Sequence, residues 1–99
     1  MSAVYDATQF REKYGKIFRN LVWSWISNQE YTIPLSYIKI NIDPEDKSIQ
    51  QLDYLILQTL KQELEPMEYT VRLSIKPVED KLEPCICVYS NQIEGCIVA

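Results

Sequence analysis

The chain has 99 residues, 46% of them apolar and 24% charged, with a formal net charge of −4 and no histidine. That length suits a single domain over residues 1–99 with a core of its own, and the composition argues against disorder. The missing histidine removes Ser-His-Asp and Cys-His catalysis, imidazole acid–base chemistry and histidine metal ligation.

The charge is unevenly spread. Residues 1–30 carry Arg11, Lys13, Lys16 and Arg19 against three acids, a net +1, while residues 31–99 sum to −5. A pI near 4.7 speaks against nucleic-acid binding through the whole surface. Three cysteines, a polar and charged N-terminus and no long apolar run point to a cytoplasmic protein with no membrane association.

In chain order, residues 7–27 read as a long helix. Asp6 with Gln9 has the form of a capping box. Phe10, Tyr14, Ile17, Phe18, Leu21 and Trp25 make one apolar stripe, and Gly15 weakens the middle by about 1 kcal/mol relative to alanine. Residues 35–42 alternate as a strand that starts at Pro34 and ends at Asp43-Pro44, with Ile38, Ile40 and Ile42 on one face. A second helix follows, capped by Asp43 or by Ser48, and running to about Glu65, where Pro66 stops it. Ile49, Leu52, Ile56, Leu60 and Leu64 line its face. Residues 69–76 alternate strictly and predict a half-exposed strand. Residues 85–90 are apolar on both faces and predict a central strand. Ile93 to Val98 offers a final short strand, with Asn91-Gln92 or Glu94-Gly95 in the turn. The expected fold is α+β: two helices packed on one face of a three- to four-stranded mixed or antiparallel sheet, in the order α-β-α-β-β with an optional last strand.

Three groups of residues are candidates for function. Trp23 falls almost opposite the first-helix stripe, beside Arg19 and Lys16, where a tryptophan and a cation form either an interface anchor or a stacking platform for a base. The structural alternative covers Trp23 with the 28–34 loop or the C-terminus. Asp53 falls in the apolar arc of the second helix, with Glu63 near its edge. A carboxylate facing a core is a candidate acid or base, whereas one at the margin simply pairs with a cation. Cys85 and Cys87 form a C-x-C pair with Cys96 nine residues on. An Asn91-Gln92 hairpin would set Cys87 opposite Cys96, making a redox pair or metal site, but three thiolates leave a tetrahedral metal one ligand short. The structural alternative is that these cysteines are small buried apolar groups. Tyr5, Tyr31, Tyr37 and Tyr54 lie off the main stripes and suit a wet interface.

The functional expectation is a small non-catalytic interaction domain without cofactor or metal. It would bind a protein partner, or itself as a homo-oligomer, through Lys16, Arg19 and Trp23. The alternative is a nucleic-acid or nucleotide-binding module using the basic first helix.

Overall fold

A computed structural model of the chain describes residues 6–28 and 30–90. The first helix, α1, spans Ala7–Ser27. Asp6 caps it as expected: its carboxylate accepts a hydrogen bond from the Thr8 N–H at 3.0 Å, filling one of the donors a helix start leaves open. The buried face runs Phe10, Tyr14, Phe18, Val22 in steps of four. The Phe10 and Tyr14 rings meet at 4.9 Å, and Tyr14 stacks on Phe18 at 5.6 Å. The expected stripe included Ile17, which is exposed, and left out Val22, which is buried. Each step of four overshoots a full turn by about 40°, so the stripe winds around the helix toward Val22.

The strand expected at 35–42 is not formed. β1 is only Thr32–Pro34, and the chain then turns into a short helix, α2, at Leu35–Lys39. The apolar residues fit either period: Ile38, Ile40 and Ile42 alternate, but Leu35, Ile38 and Ile42 also share a helix face. The core takes the second set, and Ile40 is left 67% exposed. Pro34 ends the strand and precedes the helix instead of opening a strand.

The second long helix is also divided. A single turn, α3, covers Pro44–Lys47, and the main helix, α4, begins only at Leu52 and runs to Leu64. Asp43 stands at the N-cap of α3 with Pro44 and Glu45 in its first turn, as expected, but its side chain makes no cap hydrogen bond, and Ser48 caps no helix start. Asp43 takes Lys13 as a partner, and the Ser48 hydroxyl donates back to the Glu45 carbonyl. Pro66 sits inside a 3-10 turn, Glu65–Met67, which the left-handed Glu68 closes. Leu52, Ile56, Leu60 and Leu64 form the expected buried row.

The last two strands form a hairpin, β2 (Tyr69–Val78) and β3 (Lys81–Ser90). Glu79 and Asp80 make its two-residue turn, both with positive φ, the backbone shape whose twist suits a tight hairpin. β3 lies between β1 and β2 and is antiparallel to both, so it is the central strand the sequence predicts. The expected strand at Ile93 to Val98, its turn and Cys96 lie outside the described residues.

Ile33, Val71, Ile86 and Val88 share one face of this sheet and enter the same core as Phe10, Phe18, Val22, Ile56, Leu60 and Leu64. α1 packs on α4, α4 on β2 and α2 on β3, giving a helical layer on a three-stranded antiparallel sheet. Full burial of Phe10 and Phe18 contributes roughly 2–3 kcal/mol each.

Candidate functional site

The contact between α1 and α4 explains the mid-helix glycine. Gly15 is buried, and a Cβ there would lie 3.0 Å from Glu63 Oε2. The gap lets the Glu63 carboxylate reach α1, where Arg11 holds it at 2.6 Å and Arg19 at 3.3 Å. Lys13 bridges from the same helix to Asp43 at 2.9 Å and to Asp46 at 3.0 Å. The Tyr14 hydroxyl donates to Asp46 and accepts from the Asp43 N–H. Both Tyr14 and Asp46 are buried, and burial together with the Asp46 carboxylate pushes the Tyr14 pKa up.

These pairings bear on the residues singled out from sequence. Arg11, Lys13 and Arg19 are all engaged by carboxylates, and Lys16 is exposed without an ion-pair partner among the described residues. Trp23 is half-buried rather than standing in water, its ring set edge-on to Tyr69 at 5.5 Å. Tyr69, at the start of β2, supplies cover that neither sequence alternative named, and the C-terminal alternative lies outside the described residues. Lys16, Arg19 and Trp23 do share one side of α1, but Arg19 and Trp23 are turned toward α4 and the sheet.

Asp53 is a marginal carboxylate. It pairs with Lys39 at 2.6 Å and its side chain is 46% exposed. The two lie in an open cleft of about 800 Å³ between Lys39, Lys47 and the 49–54 segment. The buried carboxylate among the described residues is Asp46, which is not one of the candidates singled out from sequence. Its only signal was its place one helical turn before the apolar run. Cys85 and Cys87 are buried and free, on the sheet face opposite Ile86. Burial first, then Cys87 and Glu83, pushes the Cys85 thiol pKa up. Among the described residues no cluster of acidic or cysteine side chains is arranged to hold a metal, and no helix is long and apolar enough to cross a membrane.

The hairpin holds the surface that sequence reasoning missed. By the strand pairing, Leu73, Ile75 and Pro77 of β2 and Leu82, Pro84 and Ile86 of β3 lie on the helix-covered face. The helices cover only its first half. Val71, Ile86 and Val88 are buried, whereas Leu73 is 42%, Ile75 60% and Leu82 74% exposed. The strict alternation of residues 69–76 correctly marks this face as apolar, but it cannot show where the helical layer ends. The sheet therefore overhangs its own core by roughly 13 Å of strand, from Leu73 to Pro77. β2 is also an edge strand: among the described residues nothing pairs with its other side.

The comparisons add no relative: no protein family, no curated protein and no solved structure matches the chain.

Proposed function

We propose that this chain is a non-catalytic protein-interaction domain whose contact surface is the apolar overhang of the β2–β3 hairpin. The supporting observation is the set Leu73, Ile75 and Leu82, three large side chains left in water on the face that elsewhere forms the core. A contiguous apolar patch of this kind costs solubility and marks an interaction site in a folded protein. Trp23, against Tyr69 at the other end of β2, borders the same face and would act as a flanking anchor. The nucleic-acid reading has weaker support, because Glu63, Asp43 and Asp46 already neutralise three of the four first-helix cations.

The test compares tagged wild-type chain with Ile75→Glu/Leu82→Glu and with Trp23→Ala, after circular dichroism shows that each is folded. Extracts of the source cells are passed over each, and retained polypeptides, including untagged copies of the chain, are quantified. Wild type should retain a polypeptide that the double variant loses. Equal retention by the double variant, or no retention by wild type above the tag alone, refutes the reading. Loss with Trp23→Ala alone would move the surface to the first helix.

A further inference from the structure

The overhang and the open edge belong to the same strand, and together they specify an occupant. A two-residue loop is closed by a hydrogen-bonded pair, here Val78 and Lys81, and such pairs alternate along an antiparallel ladder. The backbone groups of Val78, Lys76, Ser74 and Arg72 are therefore spent on β3. Those of Val71, Leu73, Ile75 and Pro77 point outward. Pro77, which has no N–H to offer, falls on the outward set, as a proline in an edge strand should.

We infer that the occupant is a second copy of this chain, joined by antiparallel pairing of β2 with β2 about a two-fold axis through Leu73. This rests on the interaction reading above and names its partner. Outward groups meet outward groups about an axis through any residue of β2, but an axis at Arg72 sets Arg72 against itself and one at Ser74 sets Arg72 against Lys76, like charges directly opposite. An axis at Val71 leaves Ile75 unpaired, and one at Ile75 pairs only the seven residues from Arg72 to Val78. The axis at Leu73 pairs all nine residues from Tyr69 to Pro77. It sets Val71 opposite Ile75 of the second copy, Arg72 opposite Ser74, and Lys76 opposite Thr70, so no like charges face each other.

The same axis settles the uncovered face. A two-fold that joins two edges in one sheet stands perpendicular to that sheet and leaves both helical layers on one side. The bare half of each hairpin then lies beside the covered half of the other. Ile75 comes next to Val71 of the second copy, at the margin of its α4. Pro77 and Leu82 come toward its Tyr69 and Trp23. Each copy supplies the cover that the other lacks, and the product is a continuous six-stranded sheet.

Sedimentation equilibrium on the full chain, over a wide concentration range, reads the assembly against the 11.7 kDa of a single chain. Wild type should rise to twice that mass, and Leu73→Lys, which sets two ammonium groups across the axis, should stay at the single-chain mass. The register is read by mild oxidation. Residues in a hydrogen-bonded antiparallel pair have Cα atoms about 5.5 Å apart, within disulfide reach. Leu73→Cys should give a reducible covalent dimer above the wild-type background, and Ile75→Cys should not, because its two copies lie roughly 14 Å apart. A wild type at single-chain mass throughout overturns the pairing, as does a dimer cross-linked through Ile75→Cys and not through Leu73→Cys. If wild type stays single but Ile75→Glu/Leu82→Glu still loses a retained polypeptide, the self-pairing fails and the interaction domain stands. If that loss is also missing, both fail.

Discussion

Replacing Asp46 by alanine should cost far more than its place in an acidic loop suggests. Asp46 is 7% exposed and accepts from both the Tyr14 hydroxyl and Lys13. Without it the Tyr14 proton is left in the core with no acceptor. A buried hydrogen bond to a charged group contributes about 1.5–3 kcal/mol. Lys13 is largely solvated and keeps Asp43, so its share is at most about 0.5 kcal/mol. The expected loss for Asp46→Ala is about 2–3 kcal/mol, or roughly 8–24 °C in Tm for a domain of this size. Tyr14→Phe alone should cost about 1–2 kcal/mol, since Asp46 retains Lys13. The double variant orphans neither group, so it should be more stable than the sum of the single losses by about 1–2 kcal/mol. Urea unfolding followed by circular dichroism on all four proteins gives the coupling. A loss under about 0.5 kcal/mol for Asp46→Ala, or strictly additive losses, would show that the Tyr14–Asp46 contact does not hold α1 to α3.

The other acidic partners should separate by burial. Glu63→Gln is expected to cost about 1 kcal/mol, because Glu63 is sheltered while Arg11 and Arg19 are more than a third exposed, and Asp53→Asn less than about 0.5 kcal/mol, both read from urea midpoints. Thr59→Val should stabilise the fold by about 1 kcal/mol, since the Thr59 hydroxyl is buried without a hydrogen-bond partner among the described residues and valine keeps its shape; a loss of stability in the same assay would contradict this. Stability should fall in alkali. Cys85 and Tyr14 are held protonated in the fold above their ordinary values of 9.0 and 10.0, so the unfolded chain binds fewer protons there. Their contribution is complete below pH 9 and is lost as pH rises through the raised values; Tyr14→Phe should flatten the decline, which a pH series of urea midpoints would register.

Local chemistry made much of the fold legible. Asp6 before a four-residue repeat of aromatics is a helix start, and it remains one in the structure. The alternation of residues 69–76 and the two-sided apolar run at 85–90 marked a half-exposed strand and a central strand because period and burial are properties of the segment itself. The segment after Pro34 was not legible, since its isoleucines satisfy both periods and only the position of the core chose the helical one. Glu79-Asp80 was less legible as a turn, because aspartate tolerates the left-handed backbone but glutamate seldom adopts it.

The candidate sites divide the same way. A marginal, cation-paired Asp53 and two buried cysteines were readings available from sequence alone. The pairing of Arg19 with Glu63, the cover of Trp23 by Tyr69 and the burial of Asp46 join residues 44, 46 and 32 positions apart, which no local pattern encodes. By itself the sequence determined one domain, α+β content, and a chain without histidine chemistry, all of which follow from composition and spacing. Only the tertiary structure decided how far the helices reach along the sheet. The apolar face of β2 and β3 is uniform in sequence, but its exposure is set by where the helical layer stops, and there Leu73, Ile75 and Leu82 come out into water.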